Sequence, residues 1–176
     1  MSQEKILTQT RDHHEVLIRS RLKMQGDSAH HLELVSEWNG VSWYNHSIAT
    51  NIDMTWFILK DIPGPLTLIV GGIDRAEDHH KLNQLIFEKV QTIICLGSTP
   101  WKYFNAWRNQ TNFLIHANDL KEAVELAFKL VPDYGKTVLF SPSCPSFDPF
   151  DNYKNRGNNF RNLVVDKIAT EKKLIK

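Results

Sequence analysis

The sequence predicts an α/β fold, in which an open and mostly parallel sheet is flanked by helices. Two runs, LTLIVGG and TIICLG, are apolar at nearly every position, as in parallel strands that are buried on both faces. Such runs alternate with helical patterns from residue 50 onward, which is typical of right-handed β-α-β crossovers. Ahead of them, Asn39-Gly40 separates two alternating segments and predicts a β-hairpin, because both residues tolerate positive φ.

Residues 1–27 are predicted to form a separate unit, a helix over residues 2–24 followed by a linker. Apolar residues recur there near helical spacing without a Gly or Pro, at Ile6, Leu7, Leu17, Ile18 and Leu22. This apolar stripe is thin, so we expect the helix to pack against the domain or against a second copy of the chain. The alternative is a frayed tail. The globular domain is predicted to cover residues 28–176.

The remaining elements follow in chain order. A helical pattern over residues 50–61 ends at the Pro-Gly-Pro sequence of residues 63–65. Strands are predicted in the runs 66–72, 92–97, 112–116 and 137–141, and helices at 78–89, 99–108, 119–131 and 152–170. Ligands of open α/β sheets bind beyond the carboxyl ends of the strands. Three loops are therefore candidates for a site, at residues 45–51, 71–78 and 141–153.

The composition argues against several classes of partner. The 21 Lys and Arg residues nearly balance the 20 Asp and Glu residues, so no net field attracts nucleic acid or an anionic membrane. No run approaches the roughly 18 apolar residues of a membrane span, and the N-terminus lacks the pattern of a secretory signal. Cys95 and Cys144 are expected to remain reduced. We therefore expect a soluble, cytoplasmic protein with no nucleic-acid or membrane partner.

Arg75, in the loop GGIDRAED, is a candidate for binding a carboxylate or phosphate. The two glycines before it allow a sharp turn and a close approach of the backbone to a ligand, although a solvated arginine in a plain turn is the alternative. The chain contains neither G-x-G-x-x-G nor G-x-x-x-x-G-K-[ST], so it has no dinucleotide fingerprint and no P-loop. Six of the eight histidines form adjacent pairs with diverging side chains, so no metal site is predicted.

The segment SPSCPSFDPFDNYKNRG, residues 141–157, combines polar side chains with the start of a helix. Its hydroxyls and backbone amides are suited to binding an anion. Ser146 lacks a G-x-S-x-G elbow and is not predicted to be a nucleophile. Cys144 is interpreted as a small buried residue rather than a reactive thiol. Arg156 is expected to form a structural ion pair with a nearby aspartate, at position 148, 151 or 166.

Three ordered motifs, covering roughly residues 30–165, resemble the Mur ligase family, and within it the D-glutamate-adding branch. HHLELVSEWNGVSWYNHSIATN is similar to H-R-x-E-x-V-x-E-x-N-G-V-x-x-x-N-D-S-K-A-T-N. PGPLTLIVGGIDRAED is similar to G-P-[apolar]-L-I-x-G-G-x-x-K-x-x-D. SPSCPSFDPFDNYKNRGNNF resembles S-P-A-C-A-S-x-D-x-F-x-N-[FY]-x-x-R-G. The resemblance implies the Rossmann-like C-terminal domain of an ADP-forming, ATP- and Mg-dependent ligase of peptidoglycan synthesis. These ligases join an amino acid to a UDP-muramoyl precursor through an acyl phosphate.

The resemblance also implies roles for individual residues. Arg75 aligns with a lysine that pairs with the amino acid's side-chain carboxylate, and Ser146, Phe147 and Tyr153 align with residues that bind the incoming D-glutamate. Ser47, Thr50 and Asn51 are retained from the first motif. Three positions depart from the family. His31 replaces an arginine, His46 replaces an aspartate that faces the nucleotide, and Ile48 replaces a lysine.

These departures erode the nucleotide-facing half of the site and leave the half that faces the amino acid. The family's other two domains, which bind the UDP-sugar and ATP, have no counterpart in these 176 residues. One hypothesis is a partly degenerate domain, a pseudoenzyme without catalytic residues or a cofactor of its own, which binds a small carboxylate such as D-glutamate or a protein partner. A second is a component of an ADP-forming ligase whose ATP domain comes from a partner. A third is an oligomeric interaction module that assembles through the N-terminal helix.

Overall fold

A computed structural model describes residues 29–72, 77–134, 136–146 and 150–174 of the chain. The helix predicted over residues 2–24, and with it the proposed unit 1–27, lies outside the described residues. The described part contains a six-stranded sheet with helices on both faces, so the predicted α/β class is confirmed. None of the helices in the described ranges is long and apolar enough to cross a membrane.

The sheet begins with the predicted hairpin, whose strands are β1 (Glu33–Trp38) and β2 (Val41–Asn45). These strands pair antiparallel, with an irregularity in the register between Leu34 and Ser36. The turn residues Asn39 and Gly40 have φ values of 50° and 76°. The left-handed conformation that Asn-Gly favours therefore forms this turn.

The other elements alternate as predicted, in the order α1 (Ile52–Asp61), β3 (Leu66–Gly71), a 3₁₀-helix (His79–Leu82), α2 (Asn83–Lys89), β4 (Val90–Leu96), α3 (Pro100–Trp107), β5 (Phe113–Ala117), α4 (Leu120–Tyr134), β6 (Thr137–Phe140) and α5 (Tyr153–Leu174). The strand order is β1-β2-β6-β3-β4-β5, and all neighbouring pairs after β1-β2 are parallel. The helix predicted at 78–89 is interrupted, because Asp78 caps a 3₁₀ turn before α2 begins.

Each face of the sheet carries its own helical layer. Leu68 and Val70 of β3 pack in a core with residues of α1, α2 and α3, whereas Ile69 packs in a second core with α4 and α5. The second core contains the stacked rings of Phe140 and Phe160, whose centroids are 4.7 Å apart. This alternation explains why β3 is apolar at nearly every position, since both of its faces are covered.

The neighbouring strands β3 and β6 diverge at their carboxyl ends. The chain leaves β3 toward α2 on one face of the sheet, and it leaves β6 toward α5 on the opposite face. In open α/β sheets such a switch point creates a crevice between the two connections. The fold therefore directs attention to the carboxyl ends of β3 and β6.

Candidate functional site

The three loops predicted to carry a site follow β2, β6 and β3, which are neighbours in the sheet. Backbone hydrogen bonds join the described parts of these loops. His46 N donates to Phe140 O at 2.8 Å, and Gly71 N donates to Pro142 O at 2.9 Å. The loop of residues 45–51, the segment 141–146 and the double glycine 71–72 therefore lie together at one edge of the sheet.

Arg156, at the start of α5, connects two of these loops from a buried position in which only 3% of the residue is exposed. Its Nη2 donates to Ser47 O at 2.8 Å, and its Nε donates to Ser47 Oγ at 3.1 Å. Its Nη1 donates to the carbonyl oxygens of Cys144 and Pro145, at 2.8 and 3.2 Å. Burial lowers the pKa of the guanidinium.

These partners test the ion pair expected for Arg156 at two of its three candidate aspartates. Its partners in the described residues are backbone carbonyls, a hydroxyl and a thiol, and neither Asp151 nor Asp166 is among them. The third aspartate considered, Asp148, lies outside the described residues. A planar guanidinium has several N–H donors, so Arg156 can bind carbonyls on two loops at once. An ion pair with one carboxylate would not connect the two loops.

Ser47 is fully buried and links the loop after β2 to the first residue of α5. Its hydroxyl donates to the Tyr153 carbonyl at 2.8 Å while it accepts from Arg156. The serine that the family motif retains is thus a structural connection in this chain. Tyr153 is half-buried, and its ring packs edge-on against His30.

Thr50 and Asn51, the other retained polar residues of this loop, are both half-buried. Asn51 is the N-cap of α1, where its Oδ1 accepts from Met54 N at 3.0 Å. Thr50 Oγ1 lies 3.9 Å from Met54 Sδ, a weak hydrogen-bonding distance. An N-capping Asn satisfies a backbone donor that the helix cannot satisfy itself, so Asn51 orients the start of α1.

Two serines of the segment 141–146 are bound by α1. Ser141 Oγ lies 2.7 Å from Thr55 Oγ1, and Ser143 Oγ donates to that same atom at 2.6 Å. Cys144 is 1% exposed, as expected for a small buried residue. Ser146 is also buried, with 5% of its surface exposed. Phe147 lies outside the described residues, and so does Arg75.

His46 is turned toward the interior of the domain. Its Nδ1 accepts a hydrogen bond from Leu32 N at 3.1 Å, and only 5% of the residue is exposed. Burial, and secondarily the nearby His31, lower its pKa from 6.5 to about 4, so the imidazole is neutral at pH 7. The Met54 backbone acts in the opposite direction and raises this pKa, although His46 Nε2 makes no hydrogen bond among the described residues. Ile48 is half-buried, and its N donates to His30 O at 3.3 Å.

Asn45, which sequence reasoning did not single out, organises the polar groups beneath this loop. It is fully buried, and its Nδ2 lies 2.9 Å from His30 Nδ1, 3.0 Å from Glu33 Oε2 and 3.2 Å from Gly157 O. Its Oδ1 accepts from Ser47 N at 3.1 Å. The only signal for this role was its place in the first family motif, directly before His46.

A cleft of about 420 Å³ opens at the carboxyl ends of β3, β4, β5 and β6, next to Arg156. The double glycine forms part of its wall. A Cβ on Gly71 would overlap with Leu96 O, and one on Gly72 would lie 2.6 Å from Cys144 Sγ. Their φ values of 120° and 146° are also unfavourable for other residues. Both glycines thus adopt backbone conformations that other residues disfavour, and their close neighbours are other parts of the domain.

The chain is similar to enzymes named UDP-N-acetylmuramoylalanine–D-glutamate ligase from several bacteria. It is 38% identical to that of Cytophaga hutchinsonii over 145 residues, which are 82% of this chain and 32% of the relative. It is 40% identical to that of Aquifex aeolicus over 136 residues, which are 77% of this chain and 32% of the relative. The chain thus spans about a third of the length of the curated relatives that it matches. No protein-family model matches the sequence.

The crystal structure of the MurF ligase from Thermotoga maritima in complex with ADP has a similar fold. The two structures superpose with a TM-score of 0.51 and 13% sequence identity, over 80% of this chain and 31% of that one. The chain is homologous to the Mur ligase C-terminal domain. The resemblance found in its sequence motifs, and the D-glutamate-adding branch to which they point, are confirmed by these relatives.

The residues of this chain that align with the Mur ligase motifs form two groups in the structure. Ser47 and Tyr153 connect through their shared hydrogen bond, and Ser146 follows Pro145, whose carbonyl binds Arg156. The positions whose counterparts in the family are expected to face the nucleotide hold the buried neutral imidazole of His46 and the apolar side chain of Ile48. These two side chains supply no charge for a nucleotide or for Mg²⁺, so they do not fit the family's ATP and Mg. Within the described ranges, no group of three or more His, Cys, Asp or Glu residues could hold a metal ion.

Proposed function

We propose that this chain is a Mur-ligase-type domain that binds a small carboxylate of the amino-acid class and does not catalyse ligation by itself. The observation that carries the proposal is the burial of His46, whose Nδ1 accepts from the Leu32 backbone. Formation of an acyl phosphate requires charged groups directed at phosphates. A neutral imidazole beneath the surface does not supply that charge. Ile48, at the position of the family's lysine, does not supply it either.

The half of the site that faces the amino acid retains the residues expected to bind a carboxylate. Arg75 conserves the positive charge of the family's lysine, and Ser146 and Tyr153 occupy the positions that receive D-glutamate in the family. The hydrogen bonds from Arg156 to Ser47, Cys144 and Pro145 support this half, because they connect the two loops through the protein's own groups. A preorganised pair of loops reduces the entropy lost on binding.

The second candidate is a component of an ADP-forming amino-acid ligase that acts with a separate ATP-binding chain. The names of the sequence relatives favour it, since they are D-glutamate ligases. Under this candidate, the partner would supply every charge that contacts the nucleotide. The oligomeric module remains a hypothesis from the sequence, because its helix lies outside the described residues.

The proposal is tested by calorimetric titration of the full chain with D-glutamate, L-glutamate and ADP with Mg²⁺. We expect binding of glutamate and none of ADP. Arg75→Ala should weaken glutamate binding by about 1.5–3 kcal/mol, the range for a hydrogen bond to a charged group. This corresponds to roughly a 10- to 150-fold rise in Kd. The matched control is Arg108→Ala, which removes an exposed arginine at the end of α3.

A phosphate-release assay with ATP, D-glutamate and UDP-N-acetylmuramoyl-alanine completes the test. The proposal predicts no release above background from the chain alone. Release that depends on all three substrates would contradict it and would favour the ligase candidate. Equal glutamate affinity in the Arg75→Ala and Arg108→Ala variants would refute the assigned carboxylate site.

A further inference from the structure

In the described part of the chain, β5 is the last strand of the sheet and pairs only with β4. The two strands are parallel along the whole length of β5, without a register irregularity. Phe113, Leu114 and Ile115 are all half-buried. Because successive side chains of a strand point to opposite faces, apolar groups reach the surface on both sides of this edge. A regular apolar edge of this kind is a template for pairing with another strand.

The other outer strand, β1, differs from β5 in the features that block such pairing. It carries Glu33 and Glu37, and its register with β2 is irregular between Leu34 and Ser36. Charged residues and bulges are two of the ways in which proteins prevent an edge from pairing with another chain. The strand β5, by contrast, contains no Asp, Glu, Lys, Arg or Pro and has a regular register.

Side chains fix both ends of β5 against β4. At the start, Thr111 Oγ1 donates to Val90 O and Gln91 O, at 3.1 and 2.8 Å. At the other end, His116 Nε2 lies 2.9 Å from Gly97 O. The strand is therefore already held in an extended and ordered form, which reduces the entropy lost when a second strand adds to it.

The sequence of β5 is complementary to a second copy of itself. If two copies pair antiparallel about a two-fold axis at Ile115, the five residues of both strands lie opposite one another. Phe113 then lies opposite Ala117, so that a large side chain meets a small one, and the two Ile115 residues form an apolar pair on the same face. The half-buried apolar side chains of one copy are thus covered by those of the other.

The charges beyond the two ends of β5 favour the same arrangement. An antiparallel pair places the residues before one strand beside the residues after the other. Residues 108–112 carry one charge, that of the exposed Arg108, whereas residues 118–122 contain two acids, Asp119 and Glu122, and one base, Lys121. Segments of opposite net charge therefore meet at both ends of the interface.

We propose that two copies of this chain form a dimer in which their β5 strands pair antiparallel and join the two sheets into one. This surface is separate from the loops of the proposed carboxylate site and from the N-terminal segment, so the dimer does not depend on either. An edge of five residues makes a small interface. The dimer is consequently weak and depends on protein concentration.

Sedimentation velocity of the full chain over a range of concentrations measures the dimer. Ile115→Lys should raise its Kd by about tenfold or more, because the two-fold axis places the like charges directly opposite each other. Ile115→Glu should have the same effect for the same reason. An equimolar mixture of these two variants should form a heterodimer, since opposite charges then meet at the axis. The matched control is Ser36→Lys, which adds the same charge to the other outer strand and should leave the dimer unchanged.

Amide hydrogen exchange of the parent chain gives a second readout that needs no substitution. The amides of β5 should become more protected as the protein concentration rises, while those of β1 should not change. The proposal is overturned by a chain that stays monomeric, by a dimer that Ile115→Lys leaves intact, or by a dimer that a folded Ser36→Lys variant also weakens. Exchange at β5 that is independent of concentration overturns it as well, even if the variants at position 115 fail to fold. Recovery of the dimer in the mixture of variants supports the pairing and the position of its axis.

Discussion

The burial of His46 makes a specific prediction about stability and pH. In the folded chain its pKa is lowered from 6.5 to about 4, first by burial and then by His31. At pH values between about 4 and 6.5, His46 therefore binds a proton in the unfolded chain but not in the folded chain. The contribution of His46 to stability is therefore complete above about pH 6.5 and is lost progressively as the pH falls toward 4.

The size of this effect follows from the difference between the two pKa values. At about 1.4 kcal/mol for each unit of pKa, the fall from 6.5 to about 4 corresponds to about 3 kcal/mol of unfolding free energy. His46→Asn removes the titrating group, while the amide oxygen remains able to accept from Leu32 N. The variant should consequently lose about 3 kcal/mol less than the parent chain between pH 7 and pH 4.

Urea unfolding at several pH values, followed by the fluorescence of the five tryptophans, measures this difference. Burial also lowers the pKa of His30, so both proteins should retain some loss of stability in acid. The comparison between them isolates His46. His80→Asn, which changes an exposed histidine, is the control and should follow the parent chain. If the parent and His46→Asn lose the same free energy, His46 is not buried in its neutral form, and the argument against nucleotide binding loses its main support.

The other predictions concern the contacts between loops and the N-terminus. Arg156→Ala should lower the unfolding free energy by about 3–5 kcal/mol, because several buried acceptors lose their donor at about 1–3 kcal/mol each. If urea unfolding shows a loss below about 1 kcal/mol, other donors replace the guanidinium. Gly157→Ala should cost about 1–3 kcal/mol, since its Cβ would overlap with His30 Nδ1, and an unchanged melting temperature would mean that His30 moves freely. Deleting residues 1–25 should lower the melting temperature or dissociate an oligomer, and if neither changes, the segment is a tail.

The sequence predicted the elements well where short-range chemistry determines them. Asn39-Gly40 produced the hairpin turn because those two residues adopt positive φ readily. The run LTLIVG became β3, since an apolar strand of that kind is stable only between two helical layers. Boundaries were less accurate. β4 begins at Val90 rather than residue 92, and α5 continues past residue 170 to Leu174, the last residue that the structure describes. Such ends depend on pairing and packing partners that a local pattern does not contain.

The candidate site was only partly predictable. Its three loops were identified because the carboxyl ends of parallel strands share one edge of the sheet. The roles of their side chains were not. The hydroxyls of the segment 141–157 were expected to suit an anion, yet those of Ser141 and Ser143 hydrogen-bond to Thr55 of α1. The apolar cleft was also missed, because residues that are far apart in the sequence converge on it only in the folded domain.

By itself, the sequence determined the alternation of strands and helices, the hairpin, and the relationship to the Mur ligases through three ordered motifs. These depend on backbone preferences, apolar periodicity and residue identity. Only the tertiary structure decided that Arg156 donates to the carbonyl of Ser47, which lies 109 residues away along the chain. It likewise decided that His46 lies buried. Both outcomes follow from the placement of β6 between β2 and β3, which brings distant loops together. That order is set by long-range packing of the sheet against two helical layers, which no local pattern specifies.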